Sequence, residues 1–140
     1  MHKLLQPGGW PRPSGYANGI AAQGTMVFTA GVIGWNAEEE FEHTDFAGQF
    51  DQALANIVAI LAEADASPEH IVRMTCFVKD RDAYIAARSA IGDAWKRHLG
   101  RVYPCMAVIV VSGFVEQAAQ LEIETTAVIP AEEASKGQVR

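Results

Sequence analysis

Basic charge, cysteine and long apolar runs are all scarce in this chain, and each scarcity removes a class of function. Eleven Lys and Arg stand against seventeen Asp and Glu, a formal net charge of −6. That is the wrong sign for gripping phosphate backbones, which takes clustered cations. Two cysteines in 140 residues cannot build the disulfide framework of a small secreted domain. No apolar run approaches the roughly 18 residues of a spanning helix. The opening Met1-His2-Lys3-Leu4-Leu5-Gln6-Pro7 has only two adjacent leucines before a proline, too little for a signal peptide. A soluble cytoplasmic protein with no nucleic-acid or membrane partner is the expectation. What is present suffices for an ordinary core: 49% hydrophobic and 20% charged residues. The length fits one domain rather than two, since domains usually run to about 100–150 residues.

Local chemistry divides the chain into short elements. Pro7-Gly8-Gly9-Trp10-Pro11-Arg12-Pro13-Ser14-Gly15 is irregular, because prolines lack N–H donors and glycines relax the backbone. Trp10 is costly to leave in water, so this segment is expected to be pinned against the body. Strands are expected at Ala17–Ala22 and Thr25–Gly31, joined as a hairpin at Gln23-Gly24. A helix is expected to start at Thr44 or Asp45, either of which can cap free N–H groups. Phe46, Phe50, Ala53, Leu54, Ile57 and Leu61 share one side of it. A strand follows at Ile71–Val78, then a helix from about Asp82 to Leu99 stopped by Gly100. Strands at Ala107–Val111 and Gln120–Val128 complete the order ββαβαββ.

This order predicts a two-layer α+β domain over residues 1–130, with a mixed sheet and two helices on one face. Residues 131–140 read as a frayed tail. The strand at Ala107–Val111 is apolar throughout, so the far face of the sheet also needs cover. A second copy of the chain is the expected source.

Chemistry-bearing residues are few. His2, His43, His70 and His98 form no metal-ligand spacing with each other or with Cys76 and Cys105. His98 is expected to meet the negative end of its own helix. No phosphate-cradling loop, dinucleotide fingerprint or nucleophile elbow occurs, and neither metal nor cofactor is expected. Cys76 reads as a core residue. Glu122 and Glu124 project from one face of a strand. They make either a solvated sheet face or a pair of acids placed for proton transfer in a partly buried cleft. Arg88 sits at the edge of the Tyr84, Ala87, Ile91, Trp95 and Leu99 stripe. It either snorkels or faces a pocket and grips a carboxylate in bidentate fashion.

The whole pattern resembles the RidA/YjgF family of reactive-intermediate deaminases, also called L-PSP-like proteins. The resemblance covers nearly all of residues 7–130. It rests on Ser14-Gly15-Tyr16-Ala17-Asn18-Gly19, Val27-Phe28-Thr29-Ala30-Gly31-Val32-Ile33 and Gln52-Ala53-Leu54-Ala55-Asn56-Ile57. It continues through Val72-Arg73-Met74-Thr75-Cys76-Phe77-Val78-Lys79-Asp80, Tyr103-Pro104 and Leu121-Glu122-Ile123-Glu124. It implies a chorismate-mutase-like trimer with sites between subunits, a small-molecule carboxylate substrate and no cofactor. The implied activity is hydrolysis of enamines or imines such as 2-aminoacrylate to ammonia and an oxo acid. By position, Glu122 would activate water, Tyr16 would line the cleft, Gly31 would present backbone groups, and the Cys105–Val108 backbone would form the floor.

One position departs from the family pattern. Enamine-deaminating members carry an arginine two residues after the proline matched by Pro104, and here that residue is Met106. Arg88 lies where the family often has asparagine, and the expectation is that the cation has moved from strand to helix. Leu4-Leu5-Gln6-Pro7, Gly9-Trp10, Arg12-Pro13 and Gly34-Trp35-Asn36 are similar to the 2-aminomuconate deaminase branch. In that branch Trp10 or Trp35 would pack on a conjugated dicarboxylate. The competing reading is a noncatalytic trimer that binds or senses small carboxylates.

Overall fold

The computed structural model describes residues 2–133. Its central element is a four-stranded mixed sheet in the order β3-β6-β4-β5. The strands are β3 (Gly24–Phe28), β4 (Ile71–Val78), β5 (Cys105–Val110) and β6 (Leu121–Pro130). β6 lies antiparallel between β3 and β4, and β5 runs parallel to β4 at the edge. Helices α1 (Phe46–Ala62), α2 (Arg81–Ala86) and α3 (Arg88–Leu99) connect these strands, and α1 packs on α3 and β6. No described helix is long and apolar enough to cross a membrane.

Three expectations give way. Ile20–Ala21 (β2) does not pair with β3; it pairs with Lys3–Leu4 (β1) in a separate two-stranded sheet. Gly24 is the reason the hairpin fails. Its φ is +149°, and a Cβ there would meet the Ile129 carbonyl oxygen at 1.9 Å, so this glycine opens β3 against β6 rather than closing a turn. The single helix from Asp82 to Leu99 is two helices, broken at Ala87, whose φ of −92° and ψ of 3° leave the helical region. Gly100 still ends α3, at a φ of +71°. Trp10 remains 61% exposed. Its segment is held instead by backbone and amide hydrogen bonds, from Gln6 to the Trp10 and Pro11 carbonyls and from Asn18 to Gln6. Residues 131–133 are helical, and the rest of the predicted tail lies outside the described residues.

Alternation along β6 builds the core. Leu121, Ile123, Thr125 and Ala127 are buried toward the helices, where Phe50, Leu54, Ile57 and Leu61 of α1 meet Met74, Cys76 and Val78 of β4. Asp45 caps α1 by accepting from the Gly48 N–H. Cys76 is fully buried, and that burial pushes its thiol up to about 12. His98 does not meet its own helix end; it lies 2.9 Å from Asp51 of α1, which also accepts from Arg97 at 2.6 Å.

Gln49 is the buried polar tie. Its amide donates to the His43 and Ala118 carbonyls and its oxygen accepts from the Gln120 N–H at 2.7 Å. It therefore joins the entry of α1 to the loop that feeds β6. Replacing it with Leu strands three buried groups, each costing about 1–3 kcal/mol. Gln49→Leu is expected to lower the unfolding free energy by about 3 kcal/mol or more in urea titrations.

Burial tends to raise the Asp51 carboxyl, but hydrogen bonds from Arg97 and His98 and their charges outweigh it and hold it below its ordinary 3.8. A depressed acid stabilises the fold above its unfolded value and loses that contribution as pH falls through the folded one. The gap in urea midpoint between the native chain and Asp51→Asn should be widest above about pH 5 and close below 3.8.

Candidate active site

Strand β6 carries Glu122 on the face turned away from the helices, beside Phe77 of β4. After β3 the chain stays close to β6: Thr29 donates to the Thr125 carbonyl, and Val32 exchanges two backbone hydrogen bonds with Ile123. Ala30 and Gly31 fall in the gap between these anchors. A Cβ on Gly31 would stand 2.4 Å from Glu122 Oε2 and 2.6 Å from its carboxyl carbon. The acid thus rests against bare backbone, in space that only glycine leaves free. Glu124, two residues on, is exposed.

A second feature lies on the other side of the sheet's edge. A cleft of about 730 Å³ opens between α3 and β5, lined among others by Tyr16, Tyr84, Arg88, Tyr103 and Met106. Each wall has a local cause. The Ala17 N–H donates to the Pro104 carbonyl at 3.1 Å, which sets Tyr16 beside the start of β5. The Trp95 indole donates to the Val102 carbonyl at 2.8 Å, which folds the 100–104 loop over α3. Tyr84 meets Phe46 of α1 edge-on, with ring centroids 6.0 Å apart. Burial raises the Tyr84 phenol, Cys76 adds to the rise and the Arg88 guanidinium opposes it, so the hydroxyl is a neutral hydrogen-bond donor at pH 7.

The expected site residues therefore fall into two groups. Arg88, Tyr16 and Met106 come together in the cleft. Glu122 and Gly31 come together on the outer sheet face. Met106 pairs in register with buried Met74, so its side chain faces the helices, opposite to Glu122. Cys105, beside Arg73, shares the outer face. Trp35 packs on Phe41 at 5.9 Å, its carbonyl held by Asn56 at 2.8 Å, away from the cleft's lining. Lys96, Gly92 and Tyr103 line the cleft without having stood out in the sequence. The helical spacing that selects Ile91 and Trp95 would also have reached positions 92 and 96.

A two-layer domain that splits an acid and a cationic, aromatic cleft between two faces defines a class: small α+β proteins of ligand-binding architecture. Comparison with known proteins makes it specific. The family model described as Endoribonuclease L-PSP matches residues 11–129, and the chain belongs to this RidA/YjgF family. A 2-iminobutanoate/2-iminopropanoate deaminase of Escherichia coli is 30% identical over 113 residues, 81% of this chain and 86% of that protein. A RutC family protein of Synechocystis is 29% identical over 131 residues, 91% of this chain and 97% of that protein. The crystal structure of YyfB, a Rid family protein of Yersinia pestis, superposes with a TM-score of 0.80 at 26% identity, covering 91% of this chain and 98% of that one. TdcF of E. coli, crystallised with bound serine, gives 0.67 at 28% identity, covering 91% and 98%.

The Gly31 contact is separable from stability. Gly31→Ala places a methyl where the carboxylate rests, and the flexible Glu122 side chain can swing away at little cost to the fold. Its melting temperature should stay near that of the native chain. A crystal structure of the variant should show the Glu122 carboxylate displaced from residue 31.

Proposed function

We propose that the protein is a cofactor-independent deaminase that hydrolyses an imine, or the enamine in equilibrium with it, of a small carboxylic acid. The observation that carries this reading is the Glu122 carboxylate lying against the bare backbone of Gly31. The E. coli relative named as an imine deaminase supports it.

In the proposed reaction an enamine first takes a proton at carbon and becomes the imine. Glu122 accepts a proton from water as the water oxygen bonds to the imine carbon. The proton passes to nitrogen, the carbon–nitrogen bond breaks, and ammonia leaves with the oxo acid behind. An imine carbon is already electrophilic, so one proton-handling group and good placement suffice. Tyr16 orients the substrate and Arg88 holds its carboxylate, the role that an arginine at position 106 would otherwise fill. Losing that charge-assisted pair without replacement would cost on the order of 1.5–3 kcal/mol of binding.

Glu122 and Arg88 lie on opposite sides of one chain's sheet, so a site holding both needs a second copy. We read the working form as a homotrimer with sites at its seams. The outer sheet face supports this, since Phe28 is 64%, Met26 58% and Ile109 45% exposed, an apolar surface of the kind that neighbours cover. An extended substrate of the 2-aminomuconate type fits the relocated cation. Trp35 and Cys105, outside the cleft of a single chain, would contribute only across such a seam.

Met106 lining the cleft favours a second reading, a trimer that binds small carboxylates without turning them over. An ammonia-release assay over enamine and imine acids, 2-aminoacrylate and 2-aminomuconate included, separates the two. Release that disappears in Glu122→Gln while ligand binding persists upholds the enzyme. Arg88→Ala should raise KM about tenfold or more with the oligomer intact, and an unchanged KM would remove Arg88 from the site.

A further inference from the structure

Helix α3 presents one continuous face to the cleft: Arg88, Ile91, Gly92, Trp95 and Lys96. The steps of three and four residues between them follow the helical repeat. Arg88 and Lys96 mark the two ends, about 12 Å apart along the axis at roughly 1.5 Å per residue. Among the described residues neither forms an ion pair. Asp93, three residues before Lys96, is not within pairing distance of it.

Gly92 lies midway, one turn from each cation, and a Cβ built there would have no atom within 4 Å. Glycine inside a helix is unfavourable by up to about 1 kcal/mol against alanine, and no tertiary contact here requires it. What it does is leave a shallow, bare stretch of helix between two unpaired positive charges. Tyr16 and Tyr103, 43% and 45% exposed, stand among the lining residues as flat apolar surfaces.

We propose that the Arg88–Gly92–Lys96 face of α3 is a binding trough for a flat dianion, a conjugated dicarboxylate with one end on Arg88 and the other on Lys96. This deepens the deaminase reading and rests on it for the role of the cleft as the substrate-binding half of the site. The span matches a chain of about six carbons with a charge-assisted contact of roughly 2.8 Å at each end. The planar chain lies on the bare helix at Gly92 and stacks against tyrosine. Lys96 is then the specificity residue: Arg88 holds any carboxylate, and Lys96 rewards only a second one.

Calorimetry with two unreactive probes tests this without turnover. trans,trans-Muconate has a carboxylate at each end of a planar six-carbon diene, and sorbate has the same chain with one carboxylate. The native chain should bind muconate at least about tenfold more tightly than sorbate, the effect of one added charge-assisted contact. Lys96→Ala should erase that preference, and Lys96→Arg should restore it. Gly92→Leu fills the trough and should abolish muconate binding, while Gly92→Ala shows by a raised melting midpoint that the helix itself accepts a side chain there. Equal affinity for the two probes, no binding of either, or a preference that survives Lys96→Ala would overturn the trough. Ammonia release from short imine acids is scored separately, so loss of muconate selectivity with release intact removes the dianion and leaves the deaminase standing.

Discussion

Strand β6 is held between two antiparallel neighbours, and its two-residue alternation governs nearly everything else. Because β3 and β4 fix its register, Leu121, Ile123, Thr125 and Ala127 must face the helices, and Glu122 and Glu124 must face away. A slip of one residue would bury both acids and expose the core. The apolar packing under α1 and the position of the one acid that lies on Gly31 are thus set by a single constraint. The hydrophobic energy that drives the sheet onto the helices also holds the carboxylate in place.

Polar ties then position what the sheet leaves free. Gln49 binds the loop ahead of β6 from inside the core. Asn56, one helical face away, donates to the Ile33 and Trp35 carbonyls and so holds the segment just after Gly31. Both amides come from α1, whose apolar stripe is also the largest contributor to the core. One helix therefore anchors the sheet and fixes the two chain segments that meet at Glu122. On the other side, Trp95 does the same for the cleft, with its ring in the core and its indole N–H on the 100–104 loop.

Much of this was legible in the sequence, where elements obey their own periodicity. Ile71–Val78 and the capped α1 were set by alternation and by helical spacing, and the structure repeats them almost residue for residue. The burial of Cys76 followed from the same alternation. Failures came where distant contacts decide. Gln23-Gly24 carries a turn signal, yet Gly24 is needed for a close backbone approach to Ile129, which no local pattern reveals. The break at Ala87 has no proline or glycine to announce it. At the site, Glu122, Arg88 and Met106 were recognisable one by one, but their division between two faces depends on strand order. The exposure of Trp10 could not be read from its cost in water, because amide hydrogen bonds rather than apolar contact hold its segment.

The buried thiol of β4 has one more consequence. Oxidants attack the thiolate, and a group pushed up to about 12 is almost wholly protonated at neutral pH. Peroxide therefore finds no nucleophile in the interior of this sheet. Whatever oxidative damage the protein suffers must begin elsewhere, and the scaffold beneath the acid outlasts it.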